Sequence, residues 1–345
     1  METSSFASDM NVVMIGDKMA VPPFFVVGSD RSGTTLLRLM LNAHPALHVP
    51  RESEFVVDLV AALPISVPLS PTELAAGLDI MTHHRRWGDL EIGSSVLKDY
   101  LDTLHSPTLR DLASAPFEIS RMRAGKRRWG DKTPGYVTHI PELAALFPDA
   151  KFVHIIRDAR DVCLSFKLRG WRGGLPAQAR FWAGQVGRGI SDGRQLGDRY
   201  YELRYEDLVL DSGRALDGVC AFLGEDFDAA MLSFYRSAAR EIAPWEHELH
   251  DKLIRPPRPK DVGRWKRQLR MREVIVIEAL AGPVMDAVPI PRHMAGLWRL
   301  APATVAVAAR GYEAFGEVLD TLGWPRPPVS EWLGIAYDRQ RETTR

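Results

Sequence analysis

The clearest hydrophobic signal is the run Phe24-Phe25-Val26-Val27, which stops at Gly28-Ser29-Asp30-Arg31-Ser32-Gly33 and gives way to residues 34–42. A short apolar run rich in aromatic and β-branched side chains predicts a buried strand; the glycines predict a tight turn, and residues 34–42 a helix. His44-Pro45 closes that helix, because proline drives the residue before it out of helical backbone angles. A second unit opens near Lys132-Thr133-Pro134, with a helix predicted over 137–147, a turn at Pro148-Asp149 and a strand at Phe152-Val153-His154-Ile155-Ile156. Near-continuous apolarity there predicts cover on both faces, as in a parallel sheet between helices. Arg157 and Asp158 follow at its carboxyl end, where open α/β sheets gather ligands.

Further along, a helix is predicted over 161–168, interrupted by Gly170-Trp171-Arg172-Gly173-Gly174, residues that permit turning and mobility. Helical pattern returns over 176–196, Tyr200-Tyr201-Glu202-Leu203 reads as a strand, and a helix follows around 216–223. The last third is mostly helical, most clearly over 270–285, with Pro283 near the end of that stretch. The expected fold is α/β and P-loop-like, a mainly parallel sheet with helices on both faces and a helical C-terminal extension. Residues 1–20 are expected to be a lead-in, 21–290 one domain, and 291–345 an extension and tail packed on it.

Composition narrows the function. With 44 basic and 44 acidic residues the chain lacks the basic footprint of a protein that lives on nucleic acid. Cys163 and Cys220 both fall in helical-looking segments, which argues against a disulfide-stapled scaffold. Residues 1–18 lack a basic stretch followed by a long apolar run, and no window reaches 18 uninterrupted apolar residues. The expectation is therefore a cytoplasmic protein without a membrane span. No metal is expected: His83-His84 are adjacent, and His247 with His250 has no accompanying ligand set.

Residues Gly28 to Thr35 have the outer spacing of a nucleotide phosphate loop, but Thr34 stands where an ATPase or GTPase loop has its lysine. Backbone N–H groups of the turn and the next helix's start can cradle anionic oxygens, and Arg31 supplies positive charge from inside the loop. Spacing alone leaves open phosphate binding, an idle turn, or an ATPase.

Four ordered segments narrow that choice. Gly28-Ser29-Asp30-Arg31-Ser32-Gly33-Thr34-Thr35-Leu36 resembles the 5′-phosphosulfate loop of sulfotransferases that use 3′-phosphoadenosine 5′-phosphosulfate (PAPS), especially bacterial and tyrosylprotein-type members. The stretch from Phe152 through Arg157-Asp158-Ala159-Arg160-Asp161-Val162 resembles the family's 3′-phosphate segment, with Ser165 at the matching serine. Arg204-Tyr205-Glu206-Asp207-Leu208 and Gly263-Arg264-Trp265 follow in the family's order. The resemblance implies a PAPS-dependent transferase that releases adenosine 3′,5′-bisphosphate and sulfates a hydroxyl or amine on a small molecule, lipid, glycan or peptide. The rivals are an ATP/GTP-dependent phosphotransferase and a non-catalytic PAPS-binding regulator.

By the same resemblance, Gly28, Ser29, Arg31, Ser32, Gly33, Thr34 and Thr35 hold the phosphosulfate, Arg157 and Ser165 the 3′-phosphate, and the loop at Gly263 and Arg264 closes over the nucleotide. An arginine fork and a hydroxyl beside a helix start suit a phosphate independently of any family. Tyr205 contacts adenine or packs the sheet edge. Arg160 and Asp161 are expected in an ordinary solvent-facing or inter-helix salt bridge. Gly130-Asp131-Lys132-Thr133-Pro134 resembles the segment carrying a catalytic lysine, so Arg31 and Lys132 form the electrostatic pair. Cytosolic sulfotransferases place a histidine where this chain has Pro134, so another base is needed. The segment His44 to Phe55 resembles the region where a glutamate acts, and the match falls on Glu52, with Glu54 its competitor. Arg51 is expected to pair with either carboxylate, and Asp30 to point outward or pair with Arg31. Insertions over 63–104 and 170–181 are expected to shape the acceptor side, with Trp87, Trp171 and Trp182 as a cleft wall or as core anchors.

Overall fold

The computed structural model describes residues 21–65, 67–241 and 251–293. The expected lead-in over 1–20, the pair His247 and His250, and the extension beyond residue 293 lie outside the described residues.

Strand β1 (Phe24–Val27) is buried at every position, which explains its unbroken apolarity. Its side chains divide by the two-residue period of a strand. Phe25 and Val27 join one hydrophobic cluster, and Phe24 and Val26 join another. The other strands are β2 (Leu47–His48), β3 (Arg128–Lys132), β4 (Lys151–Ile156) and β5 (Tyr200–Arg204). They form one sheet in the order β2-β3-β1-β4-β5, and every pairing is parallel.

The helices used below are α1 (Thr34–Asn42), α2 (Val56–Ala62), α3 (Pro71–His83), α4 (Ser94–Asp102), α5 (Leu109–Arg123), α6 (Ile140–Leu146), α7 (Ala159–Lys167), α8 (Leu175–Gly193), α9 (Tyr205–Leu210), α10 (Ser212–Leu223), α11 (Ala238–Glu241), α12 (Trp265–Gln268) and α13 (Met271–Ala287). Helices α2 to α6 pack on the Phe25 face, where Phe25 stacks on Phe152 and meets Trp129 and Phe147. The opposite face is covered by α1, α9 and α10. A third cluster joins α7, α8 and α13, which seats α13 beside the sheet.

Most of the expected elements are present. The helix expected over 137–147 is instead a 3-10 turn, Pro134–Thr138, followed by α6, because Pro141 sits in the first turn of α6 and resets the chain. Cys163 and Cys220 are buried free thiols. Among the described residues no helix is long and apolar enough to cross a membrane.

Candidate active site

The turn after β1 is drawn tight by Ser32 N, which donates to Ser29 O at 3.1 Å. Arg31 and Gly33 both have left-handed backbone angles, φ 67 and 97. At Gly33 a side chain is excluded twice, because a Cβ would also stand 2.4 Å from the Tyr205 ring. Gly33 then caps α1 without a side-chain acceptor, leaving the helix's first N–H groups and its positive dipole end directed at the turn. Ser32 Oγ is buried here and has no hydrogen-bond partner among the described residues.

Across β1, Arg157 leaves the end of β4. Its guanidinium lies 4.2 Å from the Tyr205 ring centroid, donates to Arg31 O at 3.1 Å and reaches Asp261 O at 3.3 Å. Arg157 Nε is buried without a partner among the described residues. Arg31 Nε donates to Ser165 Oγ at 3.3 Å, joining the turn after β1 directly to α7. Burial above all, then the charges of Arg169 and Arg157, pushes Arg31 down to about 10, which leaves it a cation at neutral pH. Tyr205 packs against Gly33 and Arg157 and is itself buried, so its ring helps build the cradle.

The expected surface salt bridge at Arg160 and Asp161 is corrected, since both residues are 2% exposed. Arg160 pairs with Asp158 and with Glu278 of α13, each at 2.7 Å, beneath the Trp265 ring at 3.9 Å. Only the inter-helix part of the expectation holds. Asp161 instead accepts from Gly263 N at 2.8 Å and Trp265 N at 2.9 Å, docking the 261–265 loop beside Arg157. Gly263 thus spends its N–H on Asp161, while Arg264 reaches Gln268 at 3.5 Å.

At the end of β3, Lys132 Nζ forms an ion pair with Glu52 and donates to Thr35 Oγ1 at 3.3 Å. The lysine therefore bridges the start of α1, just after the turn, and the carboxylate. Glu52 also accepts from Arg86 at 3.0 Å, and the same guanidinium holds Glu54 at 3.0 Å. Arg51 does not take that part; it pairs with Glu91 at 3.3 Å and donates to Glu241 O at 3.3 Å. Asp30 forms its ion pair with Arg172, at 2.6 Å, rather than with Arg31. Trp182 is a core anchor whose Nε1 donates to Arg157 O at 3.0 Å, and Trp87 packs against Phe55. Trp171 alone of the three is substantially exposed, with Arg31 lying 5.8 Å from its ring centroid.

Arg86 escaped sequence reading because it arrives from the insertion, 34 residues from Glu52, with no local pattern to mark it. Ser53 and Asp131 were also missed; each adjoins a chosen residue, and only the fold reveals that they meet at 2.6 Å. Among the described residues no group of three His, Cys, Asp or Glu side chains is arranged to hold a metal ion.

The profile of the sulfotransferase family matches residues 22–229, which include the phosphate turn, Glu52, Lys132 and the Arg157 arm. The chain is 24% identical over 344 residues to the omega-hydroxy-beta-dihydromenaquinone-9 sulfotransferase Stf3 of Mycobacterium bovis, covering 83% of this chain and 79% of the relative. It is 22% identical over 259 residues to protein-tyrosine sulfotransferase 1 of Danio rerio, covering 71% and 66% respectively. Among solved structures, the sulfotransferase domain of the Synechococcus olefin synthase is 28% identical with a TM-score of 0.51, covering 74% of this chain and 91% of that one. With its phosphate turn, parallel sheet and second basic arm all inside the matched region, the chain belongs to the sulfotransferase family, whose reaction is PAPS-dependent sulfuryl transfer.

Proposed function

We propose that this chain sulfates an acceptor hydroxyl, with Glu52 as general base and Lys132 and Arg31 as the cations that stabilise the leaving phosphate. The observation that carries the reading is Lys132, whose ammonium contacts both Glu52 and Thr35 and so stands where the base and the phosphate turn meet. The residues present suit a 3′,5′-substituted nucleotide. The α1 N-terminus and Ser32 Oγ offer donors to the 5′ group, while Arg157 Nε, Ser165 and the Asp161-held loop line the 3′ side. Gly28, Ser29, Thr34 and Thr35 complete the turn, and Gly263 and Arg264 belong to the loop over it.

PAPS supplies an activated sulfuryl group on a phosphate leaving group. Lys132 and Arg31 answer the negative charge that grows on the bridging oxygen. Glu52 takes the acceptor proton as the new S–O bond forms, and Arg86 holds its second oxygen in place. The insertion that carries Arg86 thereby lies next to the acceptor. Two relatives carry names specifying an omega-hydroxy quinone and protein tyrosine, both hydroxyl compounds, which supports a hydroxyl over an amine.

The test is transfer of radiolabel from [³⁵S]PAPS to a mixed library of phenols, alcohols, glycans and amines. Label on hydroxyl members supports the reading. Label confined to amines contradicts the acceptor class, and no transfer to any member by protein that binds adenosine 3′,5′-bisphosphate contradicts the catalytic assignment.

A further inference from the structure

The loop carrying Glu52 meets the end of β3 in two adjacent rungs. The outer rung is the ion pair between Glu52 and Lys132. The inner rung is Ser53 Oγ, which donates to Asp131 Oδ2 at 2.6 Å, and both residues are fully buried. Successive residues on a strand face opposite sides. Asp131 lies in register with Phe25, on the face covered by α2 and α5, and Lys132 with Val26, on the face of α1. One step along each segment therefore separates a reactive contact from a buried one.

The inner rung is braced by two further residues, Thr133 and Tyr136. Thr133 Oγ1 donates to Asp131 Oδ1 at 3.0 Å and accepts from Ser53 N at 3.3 Å. Tyr136 OH shares a hydrogen bond with Ser53 Oγ at 3.0 Å and accepts from Val56 N at 3.0 Å, where α2 begins. Glu54, the next residue, has left-handed backbone with φ 60, a bend that a non-glycine residue adopts at a cost and that the surrounding bonds must hold. Burial pushes the Asp131 carboxyl up to about 7, while the Ser53 and Thr133 hydroxyls favour its charged form. A buried carboxylate of this kind is expensive to leave short of donors.

We propose that Ser53 and Asp131 are a buried positioning pair that sets the Glu52–Lys132 geometry of the transfer site. The inference rests on the proposed roles of Glu52 and Lys132. Neither member touches the reacting atoms: Ser53 fixes where the backbone delivers Glu52, and Asp131 fixes where β3 delivers Lys132. Displacement of a reacting group by about 1 Å costs on the order of 100-fold in rate, so removing the inner rung lowers chemistry without loosening the donor.

The test uses the full chain and three readouts. A zero-length carbodiimide cross-link between Lys132 and Glu52, quantified by peptide mass spectrometry, reports their proximity without any substrate. Release of [³⁵S]sulfate from [³⁵S]PAPS to water reports chemistry without an identified acceptor, and calorimetry with adenosine 3′,5′-bisphosphate reports donor binding. Folded Ser53→Ala is expected to lose most of the cross-link and roughly 10- to 100-fold in hydrolysis rate, with bisphosphate affinity within about twofold of the parent. In a Glu52→Gln background, Ser53→Ala is expected to have little further effect on rate, because the group it positions is gone. If Ser53→Ala does not fold, Tyr136→Phe deletes the hydroxyl that bonds Ser53 Oγ and Val56 N and is expected to shift both readouts the same way. Unchanged cross-linking and hydrolysis in the folded variant overturn the proposal. A parental rate in Glu52→Gln alone overturns the base assignment instead, and the cross-link still reports on the pair.

Discussion

Arg31 Nε donates to Ser165 Oγ across 3.3 Å, although the two residues are 134 positions apart in sequence. The contact ties the turn after β1 to the helix after β4, so the two segments proposed to hold the donor are joined directly. Arg157 reinforces it by donating to the carbonyl of Arg31 at 3.1 Å.

If Arg157 and Ser165 take the 3′-phosphate as proposed, nucleotides are expected to be discriminated by that group. Adenosine 3′,5′-bisphosphate is expected to bind at least 100-fold more tightly than adenosine 5′-monophosphate, since charge-assisted hydrogen bonds contribute about 1.5–3 kcal/mol each. Arg157→Ala should erase most of the difference by weakening only the bisphosphate. Titration calorimetry measures both, and equal affinities for the two nucleotides in the parent contradict the assignment of Arg157 and Ser165.

Asp161 docks the 261–265 loop beside Arg157 by two backbone N–H groups, and under the proposed assignment it supports the 3′-phosphate at one remove. Asn in its place retains only one good acceptor and turns an amide donor toward an N–H. Asp161→Asn is therefore expected to reduce bisphosphate affinity by about tenfold, near the value of one hydrogen bond, while monophosphate affinity stays put. Parallel losses for both nucleotides would assign Asp161 to general folding.

Stability should fall below neutral pH for an identifiable reason. Burial pushes His154 down to about 3 and His48 down to about 4, against an ordinary 6.5. Folded values below the unfolded one mean that the neutral rings contribute stability fully above pH 6.5, and that it is lost as pH falls toward 4 and then 3. Each ring contributes a slope of at most about 1.4 kcal/mol per pH unit. Asp131 runs the other way, because burial raises it from 3.8 to about 7 and its contribution is lost as pH rises through 7. Urea unfolding from pH 6.5 to 4.5 should show a shallower pH slope in His154→Gln than in the parent. An unchanged slope removes His154 from the account.

The parts of this molecule that the sequence announces are those where one local pattern has one physical meaning. Phe24-Phe25-Val26-Val27 could only be a covered strand next to a glycine turn, and the structure buries all four residues. Strand β3 was not legible, because Arg128, Asp131 and Lys132 give it a polar pattern. It is buried all the same: Arg128 bonds Leu223 O at 2.6 Å, Asp131 takes the Ser53 hydroxyl, and Lys132 takes Glu52. Those partners lie 95, 78 and 80 positions away, beyond any local pattern. For the same reason Glu52 and Lys132 were found singly by resemblance, whereas Arg86, which holds Glu52 and Glu54 together, emerged only from the fold.

The central claim is that Glu52 takes the acceptor proton while Lys132 and Arg31 manage charge on the donor. Glu52→Gln keeps the volume and removes the basic carboxylate, and Glu54→Gln is its control. The measurement is single-turnover sulfuryl transfer at saturating PAPS and an acceptor identified from the library, with bisphosphate affinity determined separately for each folded variant. The account predicts a loss of about 100- to 10,000-fold in rate for Glu52→Gln, or roughly 3–5.5 kcal/mol of transition-state stabilisation, with donor affinity nearly unchanged and Glu54→Gln milder. Near-parental chemistry in Glu52→Gln would contradict it.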